Sequence, residues 1–348
     1  MKKIVLTGDR PTGMLHLGHY IGSLKNRVAL QDEVEEMYIE IADFQALTDN
    51  FSNPQKVSDN VLNLMLDYLS VGIDPEKATI FVQTQIPELY ELTCYYLNIV
   101  KLGRLEGNPT VKNEMRQKGF EKSIPVGFLV YPVSQAADIT LFDANTVPVG
   151  VDQLPMIEQT NDIVKTFNTL YGNGKDIVRR CNAVIPENKM SQRLPGLDGN
   201  AKMSKSLNNC IYLADSKEEV AKKVMKMYTD PDHIRVEDPG KVEGNMVFTY
   251  LDVFATDEQI AKYMEGFNTL EELKQGYQKG GIGDVKIKKV LINVLEDELE
   301  PIREKRKYYE ENIDLVKKYL EEGTKKAKAK AKEKIIEIRK AVGVDYNF

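Results

Sequence analysis

Ile4-Val5-Leu6-Thr7-Gly8-Asp9-Arg10-Pro11-Thr12-Gly13-Met14-Leu15-His16-Leu17-Gly18-His19 is the stretch whose pattern sets the fold. Its first four residues are apolar or β-branched, and Ile4–Thr7 is expected to form a buried strand. The glycines that follow allow a tight turn and a close approach of the backbone to a phosphate. A helix is expected after them, its unpaired N–H groups and positive dipole end directed at an anion. His16 and His19 stand three apart and share one helical face, where both imidazoles can reach the same phosphate oxygens. Two of the three histidines of the chain lie here. A metal pair is the competing reading, but it needs a third ligand nearby, and His233 is far away in sequence. Two incidental surface histidines are the other alternative.

Outward from this stretch, Tyr38–Ala42 and Thr79–Gln83 repeat the pattern of a short buried strand, with helical periodicity over Tyr20–Leu30 and Gln55–Val71. The alternation predicts an α/β fold, a Rossmann-like doubly wound parallel sheet whose ligand lies beyond the carboxyl ends of its strands. This catalytic domain is expected to span 1–190. Pro87–Tyr171 is predicted to be helix-rich, broken at Pro132 and Pro148, and Gly172–Gln192 is polar and weakly patterned. After Ser216, the segments Val220–Tyr228, Asp257–Glu265, Lys286–Leu299 and Pro301–Tyr319 suit helices. Residues 213–348 are therefore expected to form an all-helical C-terminal domain ending in a basic helix.

With 348 residues the chain can bury a sizeable core and form about two domains. Its net charge of −6 excludes a wholly basic nucleic-acid coat. Pro301–Phe348 nevertheless holds 14 Lys/Arg against 9 Asp/Glu, and it is the local patch that governs affinity for RNA phosphates. No apolar run approaches the ~18 residues needed to span a bilayer, so no membrane partner is expected. Cys94, Cys181 and Cys210 are odd in number and widely spaced. They offer neither a disulfide framework nor a C-x-x-C metal pattern, which points to the cytoplasm.

A second chemical signal is Ala201-Lys202-Met203-Ser204-Lys205-Ser206, after the glycines of Gly196-Leu197-Asp198-Gly199. Two ammonium groups on a mobile loop, expected at 191–212, can close over a polyphosphate and neutralise charge as it develops on the leaving group. A solvated Lys/Ser loop is the alternative for the motif taken alone. It is not a P-loop, since the glycine–lysine spacing is wrong and no strand feeds it.

His16-Leu17-Gly18-His19 followed by Lys202-Met203-Ser204-Lys205-Ser206 resembles the paired signature of class I aminoacyl-tRNA synthetases. Along nearly its whole length the chain is similar to the tryptophanyl branch. The similar segments include Thr7–Gly13, Asn108-Pro109-Thr110-Val111-Lys112, Val147–Gln153, Arg193–Asp198 and Tyr228–His233. The resemblance implies amino-acid activation with ATP and Mg²⁺, then transfer to tRNA(Trp), by a homodimer that binds no DNA. Arg10, Pro11, Thr12, Gly18 and His19 would line the ATP; many bacterial relatives have glutamine where Arg10 stands. Gly150, Val151 and Asp152 would hold the ribose, and Leu194 the adenine. Lys202 and Lys205, with Met203, Ser204 and Ser206 around them, would grip the pyrophosphate. His16, His19, Lys202 and Lys205 would be the catalytic groups, with no resident metal in the protein.

The amino-acid pocket is expected around Tyr131-Pro132-Val133-Ser134-Gln135-Ala136-Ala137-Asp138-Ile139. On a helix Tyr131, Gln135 and Asp138 share a face. A buried Asp138 carboxylate is an acceptor suited to a ring N–H or O–H, so both indole and phenol fit it. An amphipathic core helix with a capping Asp138 is the plain alternative. In the tryptophanyl resemblance Asp138 would bind the indole N–H of L-tryptophan, Leu6, Ile139, Val147 and Val149 would wall the ring, and Gln153 would complete the pocket. Many bacterial tryptophanyl enzymes have methionine where this chain has Gln135. Tyr131 and Gln135 before Asp138 are also similar to the tyrosyl enzymes, which keeps tyrosine open. The apolar face of Pro87–Val100 (Leu89, Leu92, Tyr95, Tyr96, Ile99) fits either core or an interface. Lys222, Lys223, Arg303, Lys305, Arg306 and Lys307 are candidate tRNA phosphate contacts. A nucleotidyltransferase of the same superfamily and a synthetase-like adaptor without catalysis are the rival classes.

Overall fold

The computed structural model describes residues 3–120, 123–185, 194–199, 203, 205 and 207–346. They belong to two compact units: Met1–Gly13, Asn26–Glu187 and Asn312–Phe348 in the first, Met14–Lys25 and Asn188–Glu311 in the second.

The first unit is built on five parallel strands, β1 (Ile4–Asp9), β2 (Glu36–Ile41), β3 (Ala78–Val82), β4 (Thr146–Pro148) and β5 (Asn182–Val184), in the order β3-β2-β1-β4-β5. The expected doubly wound α/β sheet is what forms. β1 pairs with β2 along its length, Ile4 with Glu36 through Asp9 with Ile41. Strand order reverses between β1 and β4, and the crevice outside the carboxyl ends at such a point is where open α/β sheets bind ligands. Helices of this unit include α1 (Asp43–Asn50), α2 (Val61–Val71), α3 (Pro87–Leu97), α4 (Val126–Leu141) and α5 (Leu154–Tyr171). Asp9, at the end of β1, accepts from the buried Arg27 guanidinium at 2.6 Å and from Tyr68 O–H at 2.8 Å. These bonds tie the chain leaving β1 to α2.

β4 and β5 stand where helix and weakly patterned chain are expected. Each has three residues, too few for a period of two to show. Pro132 lies inside α4 rather than breaking it. Leu89, Leu92 and Tyr96 of α3 are core, with Tyr95 and Ile99 packed against them.

Every named element of the second unit is helical, including α6 (Lys217–Met225), α7 (Met246–Phe254) and α8 (Asp284–Glu311). α8 runs through Pro301, where a boundary is expected, and the chain breaks instead at Asn312. A capping box starts α6: Ser216 Oγ accepts from the Glu219 N–H, and Glu219 accepts from the Ser216 N–H.

The division differs from the expected 1–190, 191–212 and 213–348. The basic C-terminal helix α9 (Ile313–Val342) belongs to the first unit, and residues 14–25 belong to the second. The reason lies in the packing of α9. Its Ala327, Ala331, Ile335 and Ile338 join the core around the sheet, and Gly323 lies directly on β3. A Cβ on Gly323 would come within 2.1 Å of the Ile80 carbonyl oxygen. Lys334 reaches Asp143 at 2.8 Å, and Arg339 grips Glu91 at 2.6 Å. Gly323→Ala is therefore expected to destabilise the fold by about 1–3 kcal/mol, because backbone oxygen cannot give way as a side chain can. An unchanged urea midpoint would show that α9 does not pack on β3.

Candidate active site

Within the second unit the two basic stretches meet. Leu15–Leu17 pairs antiparallel with Ile211–Leu213: Leu17 N–H donates to Ile211 O and Leu213 N–H to Leu15 O, each at 3.0 Å, with His16 opposite Tyr212. His16 then caps the helical turn Leu17–His19. Its Nδ1 accepts from the Gly18 N–H at 3.1 Å, and His19 Nδ1 accepts from the His16 N–H at 3.3 Å. Because both Nδ1 atoms accept, the neutral rings carry their protons on Nε2. Backbone groups thus select the tautomer of both imidazoles, whose ring centres lie 3.8 Å apart. A Cβ on Gly18 would lie 2.9 Å from His16 Cε1, so only glycine leaves the ring its place.

The Gly18 N–H also approaches Met203 Sδ at 3.4 Å, across 185 residues of sequence. Met203 is buried, and its N–H donates to the carbonyl of buried Leu194 at 3.2 Å. Lys205 stands two residues on, half-buried, its carbonyl accepting from the Asn208 N–H at 3.2 Å. Lys202, Ser204 and Ser206 lie outside the described residues. The loop that holds the cluster is anchored by Tyr250 O–H, which donates to Pro195 O at 2.7 Å, and by Asn209, whose amide donates to Asp198 at 3.1 Å.

Within the first unit, the other nucleotide candidates leave the carboxyl ends of β1 and β4, on either side of the reversal in strand order. Arg10 stands 3.3 Å from the buried Asp49 carboxylate, which also takes Lys118 at 2.7 Å. Burial pushes the Asp49 carboxyl up, but Arg10 and Lys118 outweigh it and hold the group below its ordinary range. Pro11 is buried, and Thr12 N–H donates to Arg10 O at 2.8 Å. Beyond β4, Gly150 is followed by exposed Val151 and Asp152. A Cβ on Gly150 would crowd Asp152 Oδ1 at 2.7 Å, and Asp152 Oδ2 accepts from the Gln153 amide at 3.0 Å.

α4 carries Tyr131, Gln135 and Asp138. Asp138 is 2% exposed, and both its oxygens accept from the Gln83 amide at 3.1 Å. Burial pushes its carboxyl up to about 7, against the opposing pull of hydrogen bonds from Gln83 and Glu40. Glu40 on β2, only 4% exposed, is pushed well above the usual carboxylate range by burial and by the negative charges of Asp138 and Asp43. Leu6, Ile139 and Val147 belong to the same extended apolar core, with Val149 packed against it. Gln135 is half-buried. Tyr131 O–H donates to Glu114 at 2.8 Å. Tyr131 also lines an apolar pocket of about 350 Å³ with Phe44, Gln45, Tyr90, Val130 and Ser134.

Gln83 and Glu40 are absent from the sequence-derived site. Glu40 carried a signal: it is the one charged residue inside Tyr38–Ala42, a stretch patterned as a buried strand. Gln83 carried none, since a glutamine at a strand's end is unremarkable without knowledge of what faces it. Among the candidate phosphate contacts, Lys223 is paired with Asp215 at 2.5 Å, Arg303 with Glu296 and Glu300, and Arg306 with Glu310 at 2.8 Å. His233 is tied to Asp284 at 2.9 Å, remote in role from the histidine turn. Among the described residues no cluster of three His, Cys, Asp or Glu side chains is placed to hold a metal.

The family model of class I tRNA synthetases (W and Y) matches residues 2–300. The chain belongs to that family of synthetases. It is 58% identical to a tryptophan–tRNA ligase of Clostridium longisporum, over 99% of this chain and 98% of the relative. It is 56% identical to the tryptophan–tRNA ligase of Streptococcus pneumoniae, over 99% of each. Among solved structures it is similar to the tryptophanyl-tRNA synthetase of Campylobacter jejuni complexed with ADP and tryptophan. There the TM-score is 0.84 at 31% identity, covering 97% of this chain and 99% of that one. In this synthetase the seat of Met203 on Gly18 is the geometric form of the paired signature. Gly18→Ala is expected to slow amino-acid-dependent pyrophosphate exchange about 100-fold, because displacing an imidazole by about 1 Å has that cost. Its melting temperature should stay close to the parent's; full activity in this variant would mean that the ring position does not matter.

Proposed function

We propose that this synthetase activates L-tryptophan with ATP and passes it to tRNA(Trp). The observation that carries the reading is the contact of Gly18 with Met203, which sets the histidine turn beside the Lys205 loop. Such an arrangement suits a triphosphate. The tryptophan carboxylate attacks the α-phosphorus and pyrophosphate leaves, so the protein needs no nucleophile of its own and supplies alignment and charge stabilisation. His16 and His19, protonated on Nε2, would donate to phosphate oxygens. Lys202 and Lys205 would neutralise the charge that grows on the departing pyrophosphate. Met203, Ser204 and Ser206 would shape that loop, and Leu194 would meet the adenine. Arg10, Pro11 and Thr12 would line the phosphates, while Gly150, Val151 and Asp152 would take the ribose. Magnesium enters as part of the substrate, MgATP, held by phosphate oxygens and water as this ion prefers.

Tryptophan is preferred over tyrosine because relatives alike over the whole chain are tryptophan–tRNA ligases. In this reading Asp138 accepts the indole N–H, Leu6, Ile139, Val147 and Val149 flank the ring, and Tyr131, Gln135 and Gln153 complete the pocket. The second unit's helices would meet the anticodon, and the working form would be a homodimer. The three free cysteines are in keeping with a cytoplasmic protein.

Pyrophosphate exchange tests the reading directly. Stimulation by tryptophan is expected; stimulation by tyrosine would move the chain to the tyrosyl enzymes, and none with either would make it an adaptor. Lys205→Ala should lower kcat by about 100-fold or more while the tryptophan Kd changes by less than about threefold, since the ammonium acts as charge builds. Equal losses in both would contradict that role. Asp138→Ala should raise the tryptophan KM at least about tenfold, through loss of a buried charged acceptor. Unchanged discrimination against phenylalanine in this variant would remove Asp138 from the pocket.

A further inference from the structure

Glu40 is buried on a functional face without a structural reason to be charged. The β1–β2 register sets it opposite Gly8, and a Cβ on Gly8 would lie 3.0 Å from Glu40 Cβ and 2.4 Å from its carbonyl oxygen. Only glycine there avoids a clash with the Glu40 backbone where the two strands approach. Two residues earlier on the same face, Tyr38 packs into the core shared with α3 and α4. Glu40 therefore points toward the layer that holds Asp138, and each carboxyl acts on the other. Asp43 and Tyr90 are the other titratable groups of this cluster. Asp43 accepts from the Thr84 and Phe44 N–H groups, each at 2.9 Å, and adds its negative charge. The Tyr90 hydroxyl and Glu40 Oε1 are both buried without a hydrogen-bond partner. Among the described residues no cation acts on either carboxyl.

Two adjoining buried carboxyls cannot both be charged, so the pair holds a proton between them. Geometry decides where it sits. Gln83 donates to both oxygens of Asp138, which favours the carboxylate there, while Glu40 Oε1 has no donor to support a charge. We propose that Glu40 is a positioning residue of the amino-acid pocket: as the neutral acid it donates its O–H to Asp138 and, with Gln83, fixes that carboxylate in the orientation from which it accepts an indole N–H. This rests on the reading of Asp138 as the indole acceptor. Asp138 then has two donors from the protein and one acceptor direction left for the substrate. A side chain with no ring donor leaves that direction unpaired in a dry pocket, which is how such a site rejects it.

The test is the tryptophan KM and kcat of pyrophosphate exchange with ATP and the full chain, measured from about pH 5.5 to 9, for the parent, Glu40→Met, Glu40→Gln and Asp138→Asn. Glu40→Met should raise the tryptophan KM about tenfold with kcat within about threefold, the cost of one hydrogen bond to a charged group. Glu40→Gln should recover most of that loss, because its amide still donates. In the parent, tryptophan binding should strengthen as pH rises through about 7, where Asp138 gives up its proton. Since the Glu40 hydrogen bond lowers that midpoint, Glu40→Met should move it to higher pH and Glu40→Gln should not. Glu40→Met should melt no lower than the parent, since it removes a buried carboxyl with an unpartnered oxygen; a purely structural Glu40 would lose stability and activity together. Should Glu40→Met not fold, the parent profile and Glu40→Gln still decide: no midpoint near neutrality, or a Gln variant with a large KM defect, overturns the proposal. If Asp138→Asn leaves the tryptophan KM unchanged, the pocket itself is misplaced. If it raises KM while Glu40→Met does not, only the role of Glu40 falls.

Discussion

The pairing of Leu15–Leu17 with Ile211–Leu213 is the constraint on which the site depends. Three residues on each side hold it, yet it joins parts of the chain almost two hundred residues apart. Once the pairing forms, the helical turn after His16 has a fixed start, and Gly18 comes to lie under Met203. The turn Leu17–His19 runs on through a π-helical segment, Tyr20–Leu24, into Lys25–Leu30, and its start is defined by tertiary contacts and its own histidine caps. Through Nδ1 the histidines close the turn, which leaves the proton of each neutral ring on Nε2.

The sheet of the first unit applies the same logic to the amino acid. Parallel strands buried on both faces consist almost wholly of apolar residues, so Glu40 in β2 is an exception whose cost must be met by something nearby. It is met by another acid, Asp138, through a shared proton, with the Gln83 amide completing the set. A buried polar network of this kind is costly when incomplete. In the proposed pocket that cost would favour a side chain whose ring donor fills the acceptor direction left on Asp138.

α9 shows how the body of the molecule supports these sites without taking part in them. Its small residues, Gly323, Ala327 and Ala331, let the helix lie close on β3 and the surrounding core. The lysines that give it a basic composition include Lys334, which reaches inward to Asp143 and the Ile177 carbonyl rather than outward to RNA. Local charge composition predicted a nucleic-acid surface; ion pairing within the chain absorbs part of it. Arg303 and Arg306 on α8 are spent in the same way.

The strand–helix alternation of the first ninety residues and the paired basic motifs were legible in the amino-acid order. Both are carried by short-range patterns, namely β-branched runs, glycine junctions and histidines at helical spacing. The two shortest strands were not legible, because β4 and β5 exist through pairing with neighbours and not through any periodicity of their own. Nor was the proline at 301 readable as helix interior, since the packing that offsets its missing N–H lies elsewhere in the chain. Asp138 could be singled out from its helix face, but its partners could not. Glu40 and Gln83 arrive from two different strand ends, and only the register of β1, β2 and β3 brings them to one carboxylate. Sequence alone determined which chemical groups this protein possesses and pointed to a nucleotide as their ligand. Tertiary structure decided which of them are buried side by side, because that depends on distance and burial, which no stretch of chain encodes by itself.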